Sequence, residues 1–443
     1  MRANLGEAGP VLFLHFKSVL PMLWTVGLCT VWITQLAMLP AAAQTLHTTT
    51  AIYQPAELVK LESNHLWTFL SAERETTIPS SRIVRWGSWP GVRDQPAVWL
   101  GDGSWLCGDV QITSSTISVT NDWLKTPDFP VDNVRGVVLA PPASLARWLD
   151  LQSQMEAVVG EQDVLWLAGG KRLSGILRWS ADSETALNRM VELDASGQRL
   201  EVPLESVEAI VFSPALLGPV PAHQNTLQLG LVDGSLLYVS QVEPQTSSVN
   251  LSLEGGTQLV SFDGPRQFCK ELVLLSGNPA LGTTAAIQYL NDLTAASYRH
   301  VADSSLTWPL GINRNVYGRS LHTSQAIFSR GLATHSACQV AYRWDGSSAR
   351  LLAEVAFAAA SPQAEPGLGS VQCQVMLARG GELETVERFS LTRRPDGHPL
   401  PGRLLNIDLS RAKLIVLVTE KADYGQYGDQ VLWLDARIAP PQP

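Results

Sequence analysis

Past residue 43 the apolar residues come in short runs broken by Gly, Pro, Asp and Ser, which predicts strands joined by turns. Three stretches share one plan. Ala97-Val98-Trp99-Leu100 leads through Asp102-Gly103 into Trp105-Leu106-Cys107. Val164-Leu165-Trp166-Leu167 leads through Gly169-Gly170 into Arg172-Leu173-Ser174-Gly175-Ile176-Leu177. Leu227-Gln228-Leu229-Gly230-Leu231 leads through Asp233-Gly234 into Leu236-Leu237-Tyr238-Val239. Asp-Gly and Gly-Gly suit hairpins because such turns require positive φ. A proline-led segment closes two of these copies and an earlier, degenerate one. These are Pro130-Val131-Asp132-Asn133-Val134, Pro203-Leu204-Glu205-Ser206-Val207 and Pro79-Ser80-Ser81-Arg82-Ile83. Apolar residues four, seven and eight places after the proline predict a 3₁₀ turn running into a short strand. The turn glycines Gly103, Gly170 and Gly234 are 67 and then 64 residues apart. That period is too long for a solenoid and fits small SH3-like or Sm-like β-barrels in tandem.

Between two copies the period changes. Leu145, Trp148, Leu149, Met155 and Val159 fall on one helical face, with Ser144 placed as N-cap, so 141–161 is expected to be a helical linker. From residue 326 onward eight strand-like runs follow at near-regular spacing: 326–333, 339–344, 349–357, 370–378, 385–391, 403–409, 413–419 and 430–438. Eight short strands with turn clusters between them predict a jelly-roll sandwich. The chain is thus expected to be mostly β, with barrel-like repeats at 51–140 and 162–280 and a sandwich at 285–440.

The first 43 residues differ in character. Lys17 precedes an apolar stretch, and Pro40-Ala41-Ala42-Ala43 offers small residues at a cleavage position before Gln44. This predicts a signal peptide spanning 1–43 and an extracytoplasmic protein. An uncleaved membrane anchor is the competing reading, and Met22 is an alternative start. Among the cysteines beyond this segment, Cys107, Cys269, Cys338 and Cys373, no CxxC or zinc spacing occurs. Cys338 and Cys373 fall on strand-like runs, where pairing and buried free thiols are equal alternatives. The formal charge of −9 and the absence of a basic run argue against nucleic acid as a partner.

Within the C-terminal third, particular residues resemble a known family. Ser329-Arg330-Gly331-Leu332-Ala333-Thr334-His335-Ser336 resembles the "kGlgtHs" segment of the NPCBM/NEW2 family, the carbohydrate-binding module found beside family 98 glycosidases. Gly369-Ser370-Val371-Gln372-Cys373-Gln374-Val375 resembles its "GsVvFrV" strand, and 404–418 resembles its "v-v-D-l-s-g-a-k-L-t-L-v-V" pair. Asp429-Gln430-Val431-Leu432-Trp433-Leu434-Asp435-Ala436-Arg437-Ile438 resembles its closing "h-a-d-W-a-d-a-r-l". The segment around Trp308-Pro309-Leu310-Gly311 resembles its entry. The resemblance implies a galactose-binding-like jelly roll with ligands held in loops at one end. One loop departs from the family: its acidic, Gly-rich stretch is replaced at 358–367 by Ala, Ser, Pro and a single Glu365.

Sugar recognition uses aromatic faces for the C–H side of a ring and planar polar groups for hydroxyls. Asp423-Tyr424-Gly425-Gln426-Tyr427-Gly428-Asp429 supplies both in one loop. The expected carbohydrate-binding residues are therefore His335, Asp423, Tyr424, Tyr427 and Asp429. An ordinary solvated loop and a structural histidine are the plainer alternatives. Trp433 is expected in the core, and Trp344 is a weaker platform. No histidines have metal-ligand spacing, and HExxH, G-x-S-x-G and a Walker loop are absent from the sequence, so no catalytic residue, metal or cofactor is assigned. The expected partner is a polysaccharide or glycan. Envelope proteins are the alternative partners, the chain then serving as a structural or interaction protein. A glycoside hydrolase with a carboxylate pair in the repeats is the third reading.

Overall fold

The computed structural model describes residues 44–441, apart from 63–64, 93, 180–189, 196, 222, 224–225, 278–286, 302–306, 325, 360–368, 394–401 and 423–427. Residues 1–43, expected from the sequence to be a signal peptide, lie outside the described residues. The protein is mostly β.

The C-terminal runs form two antiparallel sheets. In one, Gly331–His335, Gln430–Ala439, Arg350–Phe357 and Arg403–Asp408 lie side by side. In the other the order is Ser297–His300, Cys338–Arg343, Leu414–Lys421, Ser370–Arg379, Glu382–Thr392. Leu332, Val355 and Trp433 from the first sheet meet Val340, Val375 and Leu417 from the second in a common core. Alternation explains this: each strand turns every second side chain inward, and those positions are the apolar ones. Cys338 and Cys373 are both free and buried. Each pairs with Thr419 from opposite sides of the strand between them, which puts them two strand spacings, about 9–10 Å, apart. That is beyond the reach of a disulfide.

The strand Gln430–Ala439 is buried along its whole length. Val431 and Trp433 face the sandwich core, and so do Ala436 and Ile438. The inward set therefore jumps phase between 433 and 436, which the simple alternation of the sequence does not show. A register irregularity opposite Leu352 and Glu354, with Asp435 at φ 48, produces the jump. A one-residue bulge re-aims every later side chain. Here it turns Asp435 and Arg437 onto the outer face.

In the N-terminal half each proline-led segment forms a 3₁₀ turn followed by a strand: Ser80–Arg82 into Ile83–Gly87, Val131–Asn133 into Val134–Val138, and Leu204–Ser206 into Val207–Val211. Two hairpin turns are fixed by the same local bonds. Asp102 and Asp233 accept the backbone N–H of Ser104 and Ser235 at 2.9 and 2.8 Å, and Gly103 and Gly234 adopt φ of +91 and +97. First and last strands of each group pair with one another: Thr48 with Ile83, Val98 with Val137, Leu165 with Ile210, and Leu229 with Leu275. The groups are also joined edge to edge through their last strands. Val137 sits opposite Ile210, and Trp86 opposite Leu275. Strand pairing thus continues from group to group, and the edges that isolated β units would expose are covered.

The linker forms a helix at Leu145–Glu156, capped by Ser144, whose side chain accepts the Arg147 N–H. Trp148, Leu149, Leu151 and Met155 are buried, with Trp148 edge-on to Trp105 at 5.0 Å. Val159 does not share this face: it lies beyond the helix and is 86% exposed. The helical period does not extend past the end of the helix.

A buried ionic cluster joins the first β group to the sandwich. Arg85 Nε donates to Asp435 Oδ2 at 2.6 Å and its Nη2 to Glu354 Oε2 at 2.6 Å, while Nη1 donates to the Gly87 carbonyl. The guanidinium lies over the Phe328 ring, 4.9 Å from its centroid. Arg437 reaches back in the other direction and donates to the Thr48 carbonyl at 2.6 Å. Trp89 and Ile327 form a backbone bridge beside it. Burial opposes charge on Glu354, but Arg85 and His47 outweigh it and hold the carboxyl at about 2. Burial and then Arg85 push His47 below its ordinary value, so its 3.4 Å contact with Glu354 is made by a neutral ring.

Two outcomes follow. Arg85→Ala strands two buried carboxylates and lowers the unfolding free energy by about 3–5 kcal/mol, as measured by denaturant titration. A loss under 1 kcal/mol would show that the cluster is not buried. For the pH dependence, the depressed His47 contributes stability that is full above pH 6.5 and declines below it. The depressed Glu354 contributes stability that is full above pH 4.5 and is lost toward pH 2. The thermal midpoint is thus expected to be level above pH 6.5 and to fall in two stages on acidification.

Candidate glycan-binding end of the sandwich

The N-terminal side of Gln430–Ala439 and the C-terminal side of Gly331–His335 meet at one end of the sandwich, with His335 opposite Gln430. The described ends of three loops gather there. Ala358 N–H bonds Gln430 O, Arg393 N–H bonds Gly369 O, and Ala422 N–H bonds Ser370 O. These residues flank 360–368, 394–401 and 423–427.

Asp429 ties this end together. Its Oδ2 accepts Ser336 Oγ–H at 2.6 Å, its Oδ1 accepts the Ser370 N–H at 3.2 Å, and its carbonyl accepts the Ser336 N–H. The side chain is fully buried. Both carboxylate oxygens are committed within the fold, so the geometry gives Asp429 an anchoring role beneath the loops.

His335 is 4% exposed. Its Nδ1 lies 2.8 Å from Ser336 O and donates to it, which leaves Nε2 as an acceptor. The sequence pointed to His335 as a donor to a hydroxyl; the structure shows that donor already engaged. Burial, and next to it His300, holds His335 below its ordinary value against the pull of the Ser336 carbonyl, so the ring is neutral near pH 7. The imidazole stacks on Trp308 with centroids 5.0 Å apart and planes 15° apart. Tyr317 stands edge-on to Trp308 at 5.1 Å and is 51% exposed. His300 accepts the Trp308 backbone N–H at Nδ1, and its Nε2–H therefore donates to Ser336 O at 3.0 Å. The half-buried indole thus has the His335 imidazole stacked on it and Tyr317 edge-on to it, while His300 holds the Trp308 backbone. Apolar faces edged with polar atoms are the surface that a sugar ring requires.

Arg393 is the second unforeseen member. It is buried over the Phe357 ring at 4.7 Å and donates through Nη2 to Ala358 O and Gly428 O, so it links the ends of all three loops. Burial lowers it and Asp429 supports it.

Of the five residues expected from sequence, the structure brings His335 and Asp429 together through Ser336. Asp423, Tyr424 and Tyr427 lie outside the described residues, as does most of the altered 358–367 loop. Trp433 is in the core and donates to Thr334 Oγ1. Trp344 is at the other end, where Nε1 donates to Ser347 O and the backbone N–H bonds Lys413 O. Among the described residues no cluster of His, Cys, Asp and Glu has the geometry to hold a metal ion. Trp308, His300 and Arg393 escaped the sequence reading because their contacts are non-local. The one available signal was Trp308 inside the segment that resembled the family's entry.

Residues 287–439 match the family model of the NPCBM/NEW2 domain, a span that contains all four ordered segments read from the sequence. Among solved structures, the chain is similar to CBM51 from Clostridium perfringens GH95 in complex with methyl-galactose. That pair is 15% identical, covers 34% of this chain and 99% of the other, and has a TM-score of 0.28. A structure of CBM51-2 in complex with GlcNAc and INT domains from Clostridium perfringens ZmpB is 19% identical, over 48% of this chain and 40% of that one, with a TM-score of 0.28. The tandem CBM51 modules of Sp3GH98 from Streptococcus pneumoniae SP3-BS71 are 9% identical over 78% and 88%, with the same TM-score of 0.28. No curated protein matches the chain.

The protonation state at this end is directly measurable. The His335 ring carbons should titrate by NMR with a midpoint below 6.5. A midpoint at or above 6.5 would mean that the imidazole is open to water and free to donate.

Proposed function

We propose that this is an exported, non-catalytic protein that binds polysaccharide or glycoprotein glycans through the loop end of its C-terminal sandwich. The observation that carries the proposal is the Trp308, His335, His300 and Tyr317 cluster, placed where the ends of three loops converge on Arg393 and Asp429. The NPCBM/NEW2 match over 287–439 supports the same reading, since that family resembles carbohydrate-binding modules found beside glycosidases. The neighbours solved with methyl-galactose and with GlcNAc point to neutral hexoses as first ligands to try. Tyr424 and Tyr427, on the loop that ends at Asp429, are proposed as the ring-stacking residues, with Asp423 as a hydroxyl acceptor. The N-terminal segment supports export, and the β groups serve as the base that holds the sandwich.

A second reading, protein docking by the β groups, is favoured by a mostly apolar cleft of about 650 Å³ beside the helix. Trp99, Met155, Val158, Phe212 and Leu217 line it. Pull-down of envelope proteins that is insensitive to added sugar would support that reading.

Affinity electrophoresis on soluble polysaccharides tests the proposal. The intact chain should be retarded, and Trp308→Ala, Tyr424→Ala and Tyr427→Ala should each weaken retention by about 1 kcal/mol or more, as lost aromatic contacts do. Retention that none of the three changes would remove the loop end as the site.

A further inference from the structure

A pocket of about 220 Å³ opens where the fourth β group meets the sandwich, far along the strands from His335. Its wall is mostly polar and comes from both bodies: Gln228 and Tyr238 from one, Tyr289, Asn313, Arg330 and Asp435 from the other. Much of this polar capacity is unused. The Gln228 amide nitrogen donates to Tyr238 Oη at 3.3 Å, and its oxygen has no partner among the described residues. Asn313 accepts the Gly331 N–H through Oδ1, which leaves Nδ2. Asp435 gives Oδ2 to Arg85, which leaves Oδ1, although the residue as a whole is only 5% exposed. Arg330 holds Asp292 loosely through Nη1 at 3.4 Å and keeps Nη2. None of these four atoms is among the buried orphan atoms of the described residues.

We infer that this junction pocket is a second ligand site, and that it takes a single neutral sugar ring, such as the terminal unit of a glycan. Size is the first argument. A volume of about 220 Å³ is enough for one pyranose ring. Charge is the second. Arg85 offsets Asp435 and Asp292 offsets Arg330, so the wall favours a ligand that is neutral but carries both donors and acceptors. Geometry is the third. The free atoms sit on planar amide, carboxylate and guanidinium groups, which suit adjacent hydroxyls. The inference shares its ligand class with the proposed function but not its site. Because both bodies supply wall, the ligand would bridge them and bind only the full chain.

The test uses the intact protein labelled with ¹⁵N and titrated with methyl-galactoside and with N-acetylglucosamine. The Gln228 and Asn313 side-chain amides, assigned through Gln228→Ala and Asn313→Ala, report on the junction. The Trp308 indole, assigned through Trp308→Phe, reports on the loop end. A saturable shift of the Gln228 and Asn313 signals with either sugar is the expected result. Arg330→Ala, which leaves the Arg85 cluster intact, should weaken that response at least tenfold and leave any Trp308 response unchanged. Movement of the junction signals without Trp308 supports this inference and counts against the loop-end proposal. Movement of Trp308 alone, or of neither, overturns the junction site.

Discussion

The arginine at position 85 is the constraint on which the rest of the molecule depends. It is buried between two carboxylates of a different body, Asp435 and Glu354, and an unpaired charge at that depth would be costly. Such a cluster is weak evidence of added stability, since well-packed apolar residues often serve as well. Its consequence is geometric. Only one docking of the first β group on the sandwich satisfies both carboxylates, and that docking fixes where the sandwich points. The bulge at Asp435 makes it possible, because without the phase jump between Trp433 and Ala436 the carboxylate would face the apolar core.

From this anchor the chemistry divides between the two ends of neighbouring strands. At one end, Gly331–His335 finishes in an imidazole locked on the Ser336 carbonyl and stacked on Trp308. At the other, Arg330 and Asp435 face the polar junction pocket. Neighbouring strands connect both places. This is the usual division between a scaffold and a recognition surface. The β groups fit the same logic. Their last strands pair with one another, so they offer a stiff base in place of a flexible linker.

Much of the fold could be read from the sequence, because it is written in local patterns. Period-two alternation located the sandwich strands closely, and Pro-led segments with apolar residues at fixed offsets located the 3₁₀ turns. Ser144 and the Trp148 face marked the helix. What could not be read is non-local. Nothing near Arg85 in sequence announces Glu354, nearly 270 residues away, and the bulge at Asp435 hides inside a run that looks like simple alternation. Trp308 is joined to His335 only by folding, so the residue that gives the loop end its aromatic face was passed over as an entry segment. The motif marked His335 either as a hydroxyl donor or as a structural histidine, and in the fold its Nδ1 proton goes to the Ser336 carbonyl.

The measurement that bears most directly on the account is a glycan array probed with the intact, folded chain. The account predicts retention on glycans that end in neutral hexoses, competed by the free sugar. An array without retained glycans, from protein whose thermal unfolding shows it to be folded, would contradict it.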